Sequence, residues 1–241
     1  MTTRIKILTC LLITIIYTSC KLQKGHLKIL GKQDDIIATD SIKKFMKTKE
    51  RPSIVLRVPN DAARATESEN NNSAYSAIER ELMAYNFNVK DRGLFNAVIG
   101  GAGSLNYEQL SKLTDVDLIL EVVYINDRVP INTNRVFDVD GYPIASEHNF
   151  TRYGATIELK LILVKSNDFA GGFLFNYTPC KEKNNDCHCK VGYKGKKVYS
   201  DIEINFCGGD NKIKTYEFVP INELEALARR GVQQMMLEIK E

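Results

Sequence analysis

The chain has 241 residues, of which 44% are hydrophobic, and its 33 lysine and arginine residues nearly balance 30 aspartate and glutamate residues, giving a formal net charge of +3. This balance argues against proteins that bind nucleic acid through bulk positive charge. Beyond the first residues no hydrophobic stretch is long enough to cross a membrane as a helix. The composition therefore indicates a globular body.

The N-terminus has the layout of a bacterial lipoprotein leader. Two basic residues precede an almost unbroken apolar run over residues 7–17, and two small residues stand directly before Cys20. This pattern predicts that residues 1–19 are a signal peptide and that Cys20 is the lipid attachment point, although Tyr17 stands where such leaders usually carry Leu. An ordinary secretory signal and a single membrane anchor are the alternatives. The apolar run is shorter than the about 20 residues that a spanning helix needs.

Removal of residues 1–19 leaves 222 of the 241 residues, enough for one large domain. Residues 20–50 are polar and rich in lysine, which is typical of a tether between a lipid and a folded body. A partly ordered strand around residues 27–30 is the alternative. We expect a single domain over residues 51–241, with a cysteine-rich insertion near residues 179–208.

Hydrophobic spacing predicts the elements of the first half of this domain. The β-branched run at residues 53–58 predicts a buried strand, and apolar residues at helical spacing predict an amphipathic helix over residues 73–86. A brief strand at residues 87–90 follows. Two further helical stretches, residues 91–99 and 106–113, are separated by the glycines at 100, 101 and 103.

The pattern in the second half of the domain predicts several strands and a terminal helix. Residues 116–125 are apolar on both faces, which predicts a strand in the middle of a sheet. The alternating residues 156–164 and their partner at 173–177 predict a hairpin, and residues 198–206 predict another strand. The chain closes with a helix that we expect Asn222 to cap, with a buried stripe of Leu224, Ala228, Val232, Met235 and Ile239. The fold class is α/β or α+β, a mixed β-sheet with packed helices and a β-rich, cysteine-containing C-terminal insertion.

Four cysteines remain after Cys10 leaves with the signal and Cys20 takes the lipid. They are Cys180, Cys187, Cys189 and Cys207, and an even number in one segment of an exported chain favours two disulfides. Cys187 and Cys189 are too close to pair, so each bridges to Cys180 or Cys207, which leaves two connectivities. A zinc site is the rival interpretation, but the spacing does not match the usual paired ligands.

Candidate catalytic and metal motifs are weak. The glycines around residue 101 lack the lysine of a phosphate-binding loop, and residues 138–141 begin like a calcium loop that would need Glu where Asn149 stands. The three histidines, His26, His148 and His188, have no triad partners in a recognisable pattern. We expect no catalytic activity, no cofactor and no metal.

Three segments resemble the family of CsgG, the curli-secretion lipoprotein. Residues 85–92 are similar to the helix that leads into a short strand, and residues 113–123 are similar to the central strand, with Val122 where the family commonly carries Gly. Residues 156–164 are similar to the next strand of the family's sheet. The resemblance implies a CsgG-like mixed domain. Secretion pores of this type extend two amphipathic hairpins into the membrane, and residues 129–153 and 179–198 lack the alternation that about 9–11 spanning residues require. The resemblance therefore points toward LpoB-like activators and other accessory lipoproteins that act by contact.

These patterns predict a non-catalytic, lipid-anchored envelope protein that acts as an adaptor or assembly factor. Lys21 after the lipidated residue implies sorting to the outer membrane, with the domain facing the periplasm. The expected partners are the membrane, through the lipid, and an envelope protein, with self-association left open and no nucleic acid. A secretion-channel subunit of CsgG type and a redox or zinc-binding envelope protein are the alternatives.

Overall fold

The structure is a computed structural model, and it describes residues 23–58, 69–95, 115–180, 189–194, 197–199 and 218–241. Its helices are α1 (Asp40–Thr48), α2 (Glu69–Ala84) and α3 (Ile221–Lys240), and residues 92–95 are also helical. Its strands are β1 (Gln23–Leu27), β2 (Asp35–Ala38), β3 (Ser53–Arg57), β4 (Asn88–Lys90), β5 (Leu118–Thr133), β6 (Val136–Asp138), β7 (Pro143–Ile144), β8 (Phe150–Leu163), β9 (Asp168–Tyr177), β10 (Lys190–Lys194) and β11 (Lys197–Tyr199).

The chain divides into two compact units. The smaller unit comprises residues 1–30, 130–152 and 179–216, and the larger unit comprises residues 31–129, 153–178 and 217–241. This differs from the single domain expected over residues 51–241, because segments distant in sequence join the cysteine-rich region in a unit with its own core.

The larger unit is built on a six-stranded mixed sheet in the order β2-β9-β8-β5-β3-β4. Strand β3 lies parallel to both β4 and β5, whereas β8 and β9 form an antiparallel hairpin and β2 pairs antiparallel with β9. The predicted central strand and the predicted hairpin are confirmed. The fold class is also confirmed, since helices pack on this mixed sheet.

Alternation along the central strands gives the sheet two buried faces. Ile54 and Leu56 of β3 join Leu118 and Leu120 of β5 in the main core, where α1, α2 and α3 pack. The intervening Val55 and Ile119 belong to a second cluster on the other side, together with Phe95, Val116, Ile162 and Val164. Apolar side chains on both faces explain why these strands read as nearly continuous hydrophobic runs.

Helix α3 buries the predicted stripe, and Leu227, Gly231 and Met236 extend it. Its N-terminus differs from the prediction. The residue before the helix is Pro220, whose carbonyl accepts from the N–H groups of Glu223 and Leu224, and the end has no side-chain cap. Asn222 therefore lies inside the first turn, two residues after the N-cap position.

Residues 23–50 were expected to form a tether, and the structure differs here as well. They contain β1, β2 and α1, and Leu27 and Ile42 are fully buried. Helix α1 places Ile42, Phe45 and Met46 at helical spacing against the main core. These apolar contacts order a segment whose lysines suggested a solvated chain.

The smaller unit is built on a five-stranded sheet in the order β11-β10-β1-β6-β7. Neighbouring strands in this order are antiparallel. Its buried cluster comprises Leu27, Ile29, Val136, Phe150, Cys180, Cys189, Val191 and Val198. The β-rich insertion that carries the cysteines is thus confirmed. The helix predicted at residues 106–113 and most of the strand predicted at residues 198–206 lie outside the described residues.

Candidate functional site

A surface cleft of about 370 Å³ lies in the larger unit between α2 and the segment that follows β4. We call it the α2–β4 cleft. Its lining residues are Glu79, Met83, Val89, Lys90, Asp91, Arg92 and Gly93. The lining combines two acidic and two basic residues with aliphatic surface, so the cleft can contact both charged and apolar groups of a ligand.

The end of α2 sets one wall of the cleft. Asn86 has a φ of 70°, a left-handed conformation that Asn tolerates better than most residues. Its N–H donates to the carbonyl of Met83, and the N–H of Phe87 donates to the carbonyl of Leu82, which together form a Schellman motif. Phe87 and Leu82 pack in the same core cluster, so the chain turns sharply from α2 into β4.

The other wall follows from β4 and the helical residues after it. Asn88 and Lys90 pair in register with Ser53 and Val55 of β3, which fixes β4 at the end of the described sheet. The side-chain Oδ1 of Asp91 then accepts a hydrogen bond from the N–H of Leu94, a helix N-cap interaction. The cap turns the chain so that Arg92 faces α2.

A charged pair crosses the cleft. The Nε of Arg92 lies 3.8 Å from Oε1 of Glu79, and the guanidinium carbon lies 5.1 Å from the centroid of the Tyr75 ring. Burial raises the pKa of Glu79, the Arg92 charge offsets this in part, and the Asp91 charge adds to the rise. Glu79 therefore holds its proton to a higher pH than an ordinary glutamate does.

A second polar cluster fixes the start of the two central strands. Both oxygens of Asp117 lie 2.6 Å from Nζ of Lys49, and its Oδ2 accepts hydrogen bonds of 2.7 Å from the N–H and the Oγ–H of Ser53. Burial alone would raise the pKa of Asp117, but the hydrogen bonds from Lys49 and Ser53 outweigh that effect and lower it. The cluster joins β3 to the residue before β5, which is a structural role.

Of the predicted site residues, the structure brings together Cys180 and Cys189. They form a disulfide with a Cα–Cα distance of 5.4 Å, which confirms the expectation of a disulfide in this segment. Both are buried, and the N–H of Ile29 donates to the carbonyl of Cys180. Cys20, Cys187, His188 and Cys207 lie outside the described residues, as do the glycines around residue 101.

The remaining motifs occupy separate places. His26 lies in β1, where its ring stacks on Phe137, and His148 is exposed, with its N–H bonded to Oγ of Ser146. Residues 138–141, which begin like a calcium-binding loop, form a turn in which Oδ1 of Asp138 accepts hydrogen bonds from the N–H groups of Asp140 and Tyr142.

Within the described ranges no three His, Cys, Asp or Glu side chains are grouped to hold a metal ion. None of the helices in those ranges has the length and apolar character needed to cross a membrane.

Sequence reasoning missed the α2–β4 cleft as a site. It identified residues 85–92 only as the carriers of a resemblance, because Glu79 and Arg92 are far apart on the chain and meet only when the helix and the strand pack. It also missed the strand β1, although Gly25, Leu27 and Ile29 alternate there with Lys24, His26 and Lys28.

Comparisons with known proteins give distant likenesses. No family model and no curated protein matches the chain. A variant PelC dodecamer from Paraburkholderia phytofirmans is 8% identical, covers 87% of this chain and 100% of that chain, and has a TM-score of 0.37. The hypothetical protein CT253 from Chlamydia trachomatis is 10% identical, covers 79% of this chain and 96% of that chain, and has a TM-score of 0.35. Likenesses at this level carry no argument about function, which must be argued from the residues.

Proposed function

We propose that the protein is a lipid-anchored, non-catalytic envelope protein that acts as an adaptor or assembly factor. The leader pattern that ends at Cys20 supports the anchor. We further propose that the α2–β4 cleft binds a segment of another envelope protein.

The observation that carries the second part is the combination of an oriented arginine with exposed apolar surface. Arg92 is held between the Tyr75 ring and Glu79. Met83, which lies on the α2 wall with Glu79, is 54% exposed. Arginine and methionine are enriched at protein interfaces, and a guanidinium that is already oriented loses less entropy when it binds a carbonyl or a carboxylate.

The position of β4 supports a protein segment as the ligand. Among the described strands, β4 stands at the end of the sheet order and pairs with β3 on one side. An extended segment can add to such an edge through main-chain hydrogen bonds while its side chains enter the adjacent cleft.

The alternatives make different demands on the chain. A CsgG-type channel subunit would need membrane hairpins, and residues 129–153 include the exposed polar residues Asn132, Asn134, Arg135 and Asp140. A zinc site would need free thiolates, whereas the sulfurs of Cys180 and Cys189 are joined to each other. Both observations favour the adaptor.

Site-specific cross-linking in intact cells tests the proposal. A photo-reactive phenylalanine analogue replaces Met83 in one variant and Leu237 in the other. Leu237 is an exposed apolar residue of α3 and is the matched control. We expect a discrete adduct with another envelope protein from position 83 that is absent from position 237 and is weakened by Arg92→Ala. Equal adducts from both positions, or none from position 83, would contradict a binding role for the cleft.

A further inference from the structure

The sheet of the smaller unit has two chemically different faces. Residues directly opposite each other in an antiparallel pair point to the same side. Lys24 lies opposite Gly192, His26 lies opposite both Lys190 and Phe137, and Tyr199 lies opposite Gly192. The residues between them, including Leu27, Val136, Val191 and Val198, form the buried cluster with the disulfide.

We call the outer side the basic face. It is formed by Lys24, Lys28, Lys190, Lys197, Phe137 and Tyr199, with His26 at its centre. The four lysines are exposed, and the two aromatic rings are partly exposed. The described strand positions on this side, from β1, β6, β7, β10 and β11, include no acidic residue. The described part of this face thus presents concentrated positive charge in a chain whose total charge is nearly balanced.

Contacts on the basic face hold the charges close to aromatic surface. Nζ of Lys28 lies 5.7 Å from the centroid of the Phe137 ring, which also stacks on His26 at 5.8 Å. Nζ of Lys197 lies 5.0 Å from the centroid of the Tyr199 ring. These cation–π contacts orient the ammonium groups, and the buried valines and the disulfide stabilise the sheet that carries them.

The basic face begins close to the proposed lipid. Only two residues, Lys21 and Leu22, stand between Cys20 and Gln23, the first residue of β1. A fully extended chain covers at most about 10 Å from Cys20 to Gln23, a length close to the Debye length of about 8 Å at physiological salt. A lipid on Cys20 would therefore hold β1 within the electrostatic reach of the headgroups.

We propose that the basic face binds the anionic phospholipid headgroups of the bilayer that holds the lipid, and that it thereby orients the smaller unit on the membrane. This inference rests on the proposed lipid anchor. Lysines attract anionic headgroups, and aromatic side chains with an apolar body and a polar tip, such as Tyr199, favour the interface. Each lysine near an anionic surface strengthens binding about fivefold. Nucleic acids and soluble acidic polymers are also negatively charged. As ligands, however, they would not explain why the basic face starts beside the lipid attachment point.

The test uses the lipidated full chain reconstituted in vesicles of phosphatidylcholine alone or mixed with phosphatidylglycerol. A water-soluble amine acylating reagent modifies accessible lysines, and mass spectrometry reads each site. Lys44 and Lys47, exposed on α1 in the larger unit, are the internal reference. We expect Lys24, Lys190 and Lys197 to react at least about fivefold more slowly in the anionic vesicles, with recovery at about 1 M salt, where the Debye length is about 3 Å.

Variants sharpen the result. The double variant Lys190→Glu and Lys197→Glu should abolish the protection of Lys24, whereas the matched Lys44→Glu and Lys47→Glu variant should leave it intact. Equal reactivity in both kinds of vesicle would overturn the inference. Protection by heparin but not by anionic vesicles would overturn it in favour of an acidic polymer.

The same digest separates this inference from the function on which it rests. It contains the N-terminal peptide, whose mass reports acylation of Cys20. An acylated Cys20 with unprotected lysines refutes the lipid-binding face and leaves the anchor standing. An unmodified Cys20 refutes both, whatever the lysines show.

Discussion

Gly231 of α3 lies so close to the ring of Phe175 on β9 that a β-carbon at position 231 would come within 2.6 Å of Cδ2. Alanine would gain about 1 kcal/mol of helix propensity, but overpacking this contact costs about 1–3 kcal/mol. Because Phe175 is fully buried, it has little room to move. We expect Gly231→Ala to lower the free energy of unfolding by up to about 2 kcal/mol in denaturant titrations. Leu237→Ala, on the exposed side of α3, is the control, and a stabilised Gly231→Ala variant would contradict this packing.

Asp117 should make the free energy of unfolding depend on pH in the acid range. Its pKa is lowered in the folded state, so the stability that it contributes is present above the unfolded pKa of about 3.9 and is lost as the pH falls through the folded pKa. Asp117→Asn should cost about 1–3 kcal/mol at pH 7, where hydrogen bonds to a charged group are replaced by weaker ones. The variant should also lose less stability below pH about 4 than the wild type does. Parallel pH profiles for the wild type and Asp117→Asn would count against the cluster, with Asp168→Asn as a surface control.

The Glu79 carboxyl should respond in opposite directions to its two charged neighbours. Arg92 lowers its pKa and Asp91 raises it, on top of the rise caused by burial. Arg92→Ala should therefore raise the pKa of Glu79, and Asp91→Asn should lower it while keeping the helix cap, because Asn caps as well as Asp. Carbon-13 NMR titration of the glutamate carboxyl measures both shifts. Shifts of the same sign in both variants would show that the cleft is arranged differently.

The raised pKa of Glu79 also has a consequence for stability. A carboxyl whose pKa is higher in the folded state than in the unfolded state binds more protons when the protein is folded. Its contribution to the free energy of unfolding therefore falls as the pH rises from the unfolded pKa through the folded pKa. Glu79→Gln should remove that fall, and the variant should lose less stability than the wild type between acid and neutral pH. Denaturant titrations across this interval provide the comparison.

Loss of the Cys180–Cys189 disulfide should loosen the smaller unit selectively. The bond closes a loop over a sequence separation of 9 and is buried beside Val191, which pairs with Gly25. Replacing both cysteines with alanine should cost about 2–4 kcal/mol, and amide exchange of β10 should speed up more than that of the β8–β9 hairpin. Equal acceleration in both places would contradict a local role for the bond.

Periodicity recovered the elements whose hydrophobic pattern is unbroken. The stripe from Leu224 to Ile239 and the alternation from Ile157 to Leu163 both face the main core, so local pattern and tertiary burial agree. The prediction for β5 ended at Ile125, whereas the strand continues to Thr133. Beyond Ile125 the strand carries Asn126, Asp127, Arg128 and Pro130, which interrupt the apolar run that marks its start.

The candidate sites depended on contacts that one sequence cannot supply. Cys180 pairs with Cys189, one of two connectivities that spacing alone allowed, because the fold brings their Cα atoms to 5.4 Å. Glu79 and Arg92 meet through the turn at Asn86, whose left-handed conformation carries no strong sequence signal. The basic face could have been found from the alternation of Lys24, His26 and Lys28 with smaller or apolar residues, but the lysines favoured a tether.

The cellular address, the adaptor role and the proposed lipid binding of the basic face all depend on the anchor at Cys20. Mass spectrometry of the N-terminal peptide of the protein purified from its own cells measures it directly. We expect a mature chain that begins at Cys20 and carries fatty acyl groups. A chain that keeps residues 1–19, or an N-terminal peptide without acyl mass on Cys20, would contradict it.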